Sequence, residues 1–132
     1  MGMGAVSGAA PLTQPKVLLV EDDGMIAIDL EDIVRDAGFD VLGPCATATE
    51  ALALLAVSRP DAALLDVGLP NGSTLPLAEA LAAAEVPFAL VTGYDPTELC
   101  AAGLATVPAV QKPFAADAVK GMLATLLDGG RT

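Results

Sequence analysis

The apolar positions of this chain fall into short blocks that alternate with amphipathic stretches. Residues 16–20, 39–43, 62–65, 86–91 and 107–110 are blocks rich in Val, Leu and Ala. Blocks of that length, bounded by Gly, Pro or charged residues, predict strands, and continuous apolar character predicts burial on both faces. Between them the period lengthens. Residues 23–37 set Ile26, Leu30, Ile33, Val34 and Ala37 on one side of a helix. Asp22 or Asp23 can cap its start and Gly38 can end it. Pro44 closes the second strand. Thr47 or Thr49 opens a helix to about residue 58, with Leu52, Leu55 and Ala56 on its inner face. Arg59-Pro60-Asp61 is a turn into the third strand. Residues 74–84 predict a third helix, with Pro76 tolerated in the first turn. Residues 115–127 predict a last one, with Val119, Met122, Leu123, Leu126 and Leu127 inward. Between 95 and 106, Pro96 and Gly103 leave room for a brief helix around 98–102. Strands alternating with helices imply an α/β fold. Its five strands form a doubly wound parallel sheet with right-handed crossovers and helices on both faces.

The chain has 132 residues, the size of one domain. Residues 1–15 are rich in Gly, Ala, Ser and Pro and read as a disordered leader; 16–128 form the domain and 129–132 a tail. Hydrophobic residues make up 54% of the chain, yet no apolar run approaches the ~20 residues that span a bilayer. The N-terminus lacks the charged region and long apolar core of a signal peptide. A cytoplasmic protein with no membrane partner is expected. The net charge of -11 argues against nucleic acid as a direct partner, because phosphate backbones need Lys and Arg. Seven acids lie between Glu21 and Asp36. Most read as a solvated helix face, whereas Glu21 and Asp22 directly follow a buried strand. Cys45 and Cys100 are too few for a disulfide framework and read as small buried hydrophobes. His is absent, which removes His-activated nucleophiles and His-ligated zinc within this chain.

The strand ends carry the chemistry. Asp66 closes Ala62-Ala63-Leu64-Leu65 and precedes Val67-Gly68-Leu69-Pro70-Asn71-Gly72. In open α/β sheets, ligands bind outside the carboxyl ends of the strands. Val17-Leu18-Leu19-Val20 ends in Glu21-Asp22-Asp23, Phe88-Ala89-Leu90-Val91 ends in Thr92, and 107–110 leads through Gln111 to Lys112-Pro113. Neighbouring carboxylates cannot all stay ionised unless a cation intervenes, and oxygen donors without His or Cys select Mg²⁺. Asp22 and Asp66 with water would hold the ion, with Glu21 beside it and the Gly68 carbonyl as a further ligand. Asp66 can then be the nucleophile of an aspartyl phosphate, with Lys112 neutralising one phosphoryl oxygen and Thr92 donating to another.

These residues resemble a response-regulator receiver domain of bacterial two-component signalling. The matching residues are Glu21-Asp22, Leu64-Leu65-Asp66-Val67-Gly68-Leu69-Pro70, Val91-Thr92-Gly93 and Gln111-Lys112-Pro113-Phe114. The resemblance implies a flavodoxin-like (βα)5 fold. It makes Asp66 the phosphoacceptor, Glu21 and Asp22 the acidic pair, Thr92 the hydroxyl switch and Lys112 the site lysine. It also implies a sensor histidine kinase as donor and a histidine phosphotransfer protein or another protein downstream. Receivers are phosphoacceptors that catalyse their own phosphorylation and dephosphorylation rather than enzymes acting on a separate substrate. Ordinary receivers carry an aromatic switch three residues before the lysine; here that place holds Ala109. The aromatic is instead Tyr94, two residues after Thr92. That pattern is similar to the FAT GUY subgroup, found mainly in alphaproteobacteria, although Leu90-Val91 departs from its signature. Its members tend to be stand-alone receivers, or receivers fused to a sigma-like domain, that work with HWE or HisKA2 kinases. The chain stops soon after the last helix, so signal is expected to leave through protein contacts, from a monomer or weak homodimer. Two other readings compete. One is a phosphorylation-independent adaptor on a receiver scaffold. The other is a phosphatase of the haloacid-dehalogenase type, disfavoured because Gly68 stands where a second Asp is needed.

Overall fold

The computed structural model describes residues 14–69, 74–93, 96–101, 103–104 and 106–129. Along them run β1 (Lys16–Val20), α1 (Gly24–Asp36), β2 (Asp40–Cys45), α2 (Ala48–Val57), β3 (Ala62–Asp66), α3 (Thr74–Ala83), β4 (Phe88–Thr92), α4 (Pro96–Ala101), β5 (Ala109–Gln111) and α5 (Ala116–Gly129). The five strands form one parallel sheet in the order β2-β1-β3-β4-β5. The doubly wound sheet expected from the alternation is therefore present. Its strand order reverses between β1 and β3, the switch point where such sheets bind ligands.

Side chains on successive strand positions point to opposite faces, and the core divides accordingly. Leu18, Val20, Ala63, Leu65 and Leu90 pack with Ala48 and Ala51 of α2, Leu77, Ala78 and Leu81 of α3, and Leu99 of α4. Val17, Leu19, Ala62, Leu64, Ala89 and Val91 pack with Leu30 and Val34 of α1 and Val119, Leu123 and Leu126 of α5. Every residue of β3 is buried, as a central strand covered on both sides requires.

Local chemistry explains the element ends. Asp23 caps α1, its Oδ1 accepting from the N–H groups of Met25 and Ile26 at 2.9 and 3.2 Å. Gly38, at φ 95°, turns the chain out of the helix. Thr47 caps α2 by accepting from Glu50 N, while Glu50 Oε1 accepts from Ala46 N, a reciprocal pair that sets the helix start.

Several expectations are corrected. The second strand does not end at Pro44 but continues to Cys45 through a cis Gly43–Pro44 peptide. It is an edge strand, where a missing N–H is tolerated, and its pairing with β1 shifts register between Leu18 and Val20. The inner face of α2 is Ala48, Ala51, Leu54 and Leu55, whereas Leu52 and Ala56 are exposed. A helix made almost wholly of Ala and Leu has no polar stripe from which its inner face could be read. Cys45 is buried, but Cys100 is exposed because α4 turns Leu99 inward instead. The fourth and fifth strands begin two residues later than expected, at Phe88 and Ala109. Residues 1–13 of the expected leader and 130–132 of the expected tail lie outside the described residues.

Gly43 makes a stability prediction. Its φ is 95°, and an added Cβ would lie 2.6 Å from Cys45 N and 3.0 Å from Leu19 O, both backbone atoms that cannot move aside. Gly43→Ala should destabilise the fold by at least about 2 kcal/mol, from the positive φ and the clash together. Urea unfolding checks this; an unchanged midpoint would contradict it.

Candidate functional site

Four strand ends meet at the carboxyl edge of the sheet. Glu21 directly follows β1, and its backbone N–H donates to Cys45 O at 2.9 Å, tying it to the end of β2. Asp66 is the last residue of β3. Thr92 is the last of β4, and its carbonyl accepts from Lys112 N at 2.7 Å, which draws the lysine after β5 into the cluster. Glu21, Asp22, Asp23, Ile26, Asp66, Gly68, Thr92, Gly93 and Lys112 line one open cleft. The site residues expected from the strand ends, Glu21, Asp22, Asp66, Gly68, Thr92 and Lys112, therefore lie together. Tyr94 lies outside the described residues.

The cluster is charge-dense and mostly buried. Glu21, Asp22 and Asp66 each offer a carboxylate oxygen within 4.8 Å of the other two. Glu21 and Asp66 are buried and Asp22 is exposed. Lys112 Nζ stands between the two buried acids, 2.8 Å from Glu21 Oε1 and 3.3 Å from Asp66 Oδ1. Glu21 Oε2 accepts from Asp23 N at 3.2 Å, and Asp66 Oδ1 accepts from Gly68 N at 3.1 Å. The lysine approaches Glu21 Oε1 outside hydrogen-bonding angles, so this buried oxygen has an ion-pair neighbour but no hydrogen bond.

Burial pushes the Glu21 carboxyl up to about 7; Lys112 and the Asp23 N–H pull against it, and Asp66 adds to the rise. Burial acts on Asp66 in the same upward direction. It is outweighed by hydrogen bonding to Glu21, to the Gly68 N–H and to Asp22, and by the Lys112 charge, which together hold Asp66 below the usual carboxylate range. The pair thus holds its proton unequally, with Glu21 the more basic partner and Asp66 the more acidic. Desolvation opposes the charge on Lys112, but Glu21 and Asp66 overcome it and raise its pKa. An ionised, part-screened carboxylate beside a fixed cation is a competent nucleophile toward an anionic electrophile.

The donor set also fits a hard divalent cation. It is all oxygen, carries excess negative charge, and includes a buried carboxylate oxygen with an unfilled hydrogen-bonding site. One acid is exposed, which leaves the cleft open to water. Those are the features Mg²⁺ selects over softer metals.

A profile for the response regulator receiver domain matches residues 17–124. The chain belongs to the response regulator receiver family. The receiver is 36% identical over 104 residues to the phyllosphere-induced regulator PhyR of Methylorubrum extorquens, covering 75% of this chain and 38% of PhyR. The chain spans about half the length, or less, of the curated relatives it matches. Among solved structures, the BeF3-activated conformation of SdrG from Pseudomonas melonis Fr1 is 38% identical, with a TM-score of 0.75 over 88% of this receiver and 98% of SdrG. The PhyR receiver domain of Erythrobacter litoralis is 31% identical, with a TM-score of 0.78 over 89% of this receiver and 92% of that chain.

Two contacts at this receiver's site escaped the strand-end reading. Asp23, expected only as a possible cap, also supplies the N–H that holds Glu21. Thr74, expected only as a helix start, is buried and places its hydroxyl 2.8 Å from Asp66 O and 3.1 Å from Val67 O. Side-chain to backbone bonds leave no periodic trace; the one available signal was a Thr at the first position of a helix that follows the site loop.

Proposed function

We propose that Asp66 accepts a phosphoryl group from a histidine kinase in an Mg²⁺-dependent reaction, and that the phosphorylated receiver signals through protein contacts. The observation that carries this reading is the placement of Asp66 at the tip of the central strand, 3.3 Å from Lys112 and beside Glu21 and Asp22. Asp22 and Asp66 would hold the ion, with Glu21 beside them and the Gly68 carbonyl at the same rim. Bound there, Mg²⁺ supplies positive charge to the phosphoryl oxygens. The Asp66 carboxylate attacks phosphorus; the P–N bond breaks, and its electron pair leaves on the imidazole nitrogen, which takes up a proton. Lys112 offsets charge on the phosphoryl group, and the Thr92 hydroxyl donates to it. Water later cleaves the acyl phosphate, so the chain is a phosphoacceptor rather than an enzyme with a separate substrate.

Finer assignments follow from the same resemblance. Ala109 opens β5 where an aromatic switch would otherwise stand, which favours Tyr94 as the partner of Thr92 and the FAT GUY subgroup. The likeness to PhyR and SdrG suits that subgroup and, with it, HWE or HisKA2 kinases as donors and a histidine phosphotransfer or other protein downstream. Among the described residues no helix is long and apolar enough to cross a membrane. We place the protein in the cytoplasm, as a monomer or weak homodimer.

Incubation with acetyl phosphate and Mg²⁺ should add the mass of one phosphoryl group, and EDTA should prevent it. SdrG was solved in a BeF3-activated conformation, and the same mimic should seat on Asp66 here. No mass gain with Mg²⁺ present would sink the phosphoacceptor reading.

Mg²⁺ binding should depend on pH through Glu21. In the metal-free fold this carboxyl binds its proton more tightly than in the unfolded chain. Its contribution to stability is therefore full below its ordinary value of 4.5 and is lost as pH rises to about 7. A cation competes with that proton. The Mg²⁺ affinity should climb up to about tenfold per pH unit below 7 and level off above it, with proton release on binding. Calorimetry at several pH values, in buffers of different ionisation enthalpy, measures both. Glu21→Gln should flatten the profile; a flat profile in the wild type would contradict the assignment.

A further inference from the structure

A hydrogen-bonded relay connects Thr74, at the start of α3, to the carboxylate of Asp66. Thr74 is 2% exposed, and its single hydroxyl proton is shared between the carbonyls of Asp66 and Val67, at 2.8 and 3.1 Å. The second carbonyl belongs to the Val67–Gly68 peptide, whose N–H donates to Asp66 Oδ1 at 3.1 Å. A peptide unit is planar and rigid, with its C=O and N–H pointing in opposite directions. A hydroxyl that holds the carbonyl on one side therefore dictates where the N–H points on the other. Gly68 gives this peptide little steric guidance, since glycine accepts most backbone conformations. Its own Cα lies close over the site: an added Cβ would be 3.6 Å from Asp66 Oδ2. Hydrogen bonds in series also polarise one another, so the Thr74 hydroxyl strengthens the donor that Asp66 feels.

We propose that Thr74 is a positioning residue for the site. Its hydroxyl holds the Val67–Gly68 peptide so that the Gly68 N–H presents the Asp66 carboxylate, the expected cation ligand, in one orientation. The proposal rests on the phosphoacceptor reading of Asp66 for its consequence, but the relay itself is measurable without it. A Thr74 that merely started a helix would affect folding and leave metal affinity and the Gly68 amide alone.

The test compares Thr74→Val, which keeps the volume and removes the hydroxyl, with Thr74→Ser, which keeps the hydroxyl. In Thr74→Val the Gly68 amide of the metal-free protein should exchange faster with solvent by NMR. Its Mg²⁺ affinity by calorimetry should fall by about tenfold, the scale of losses when a support behind a metal ligand is removed. Phosphorylation by acetyl phosphate at saturating Mg²⁺ should slow. Thr74→Ser should restore all three. If Thr74→Val does not fold, Thr74→Ala takes its place in the same measurements. A folded hydroxyl-free variant with wild-type Gly68 exchange and Mg²⁺ affinity overturns the proposal, as does a Thr74→Ser variant that behaves like Thr74→Val. A wild type that shows the protected Gly68 amide yet takes no phosphoryl group would refute the role of Asp66 and leave the relay standing.

Discussion

Asp66→Asn will take no phosphoryl group from acetyl phosphate or from a phosphorylated kinase, a loss of at least about a thousandfold, the scale seen when a nucleophile is removed. The amide keeps the shape of the carboxylate and can still accept from the Gly68 N–H, but its lone pairs are too weakly nucleophilic to attack phosphorus. The fold should survive. Asp66 is one of the groups that raise the Glu21 pKa, so removing its charge lets Glu21 ionise more readily and pair with Lys112. The thermal midpoint of the metal-free variant should therefore stay within a few degrees of wild type. Mg²⁺ affinity should drop, because one of three charged donors has gone. Intact-mass spectrometry and a thermal melt on the same sample read these outcomes together. A variant that still gains a phosphoryl group would move the acceptor to another residue, and one that unfolds would make Asp66 structural.

The strand ends were legible because a buried strand is an apolar run and its exit from the sheet is where polar residues resume. Glu21, Asp66, Thr92 and Lys112 each mark such an exit, and a parallel sheet brings all its carboxyl ends to one edge. The alternation of run types was enough for the doubly wound architecture. The rotation of α2 was not legible, since Ala and Leu occupy nearly every position from 51 to 56 and any face could be the inner one. The exposure of Cys100 was illegible for a related reason: its short helix turns Leu99 inward, and the next residue along then faces away. Nor could the sequence reveal that Glu21 rather than Asp22 is the buried member of the acidic pair. That follows from the backbone bond between Glu21 and Cys45, a contact across two strands. The Thr74 relay is of the same kind, a single bond to backbone whose partner is set by the third dimension.

Lys112→Met should cost the metal-free protein about 3–5 kcal/mol at a pH near 8, the range for breaking a buried ion pair by removing one partner. The lysine side chain is 21% exposed, but the carboxylates it serves are 1% and 8% exposed, so water cannot replace it at their inner faces. Methionine matches its bulk and leaves two acids facing each other without a cation. The molecule can respond by holding a proton on Glu21, whose carboxyl already sits at about 7 with the lysine in place. Lys112 lowers that value, so its removal should carry the Glu21 titration above 7. Below about pH 6 Glu21 is protonated in both proteins, only the Lys112–Asp66 contact is lost, and the cost should shrink. Saturating Mg²⁺ should also return part of the loss by supplying the missing charge. The pair formed by Asp36 and Lys120 provides the contrast, because Asp36 lies open to solvent and screening leaves little to lose. Urea unfolding of Lys112→Met and Lys120→Met at two pH values, with and without Mg²⁺, separates the cases. Equal, pH-independent effects from the two substitutions would mean that Lys112 contributes packing alone and that its charge does not balance the acidic cluster.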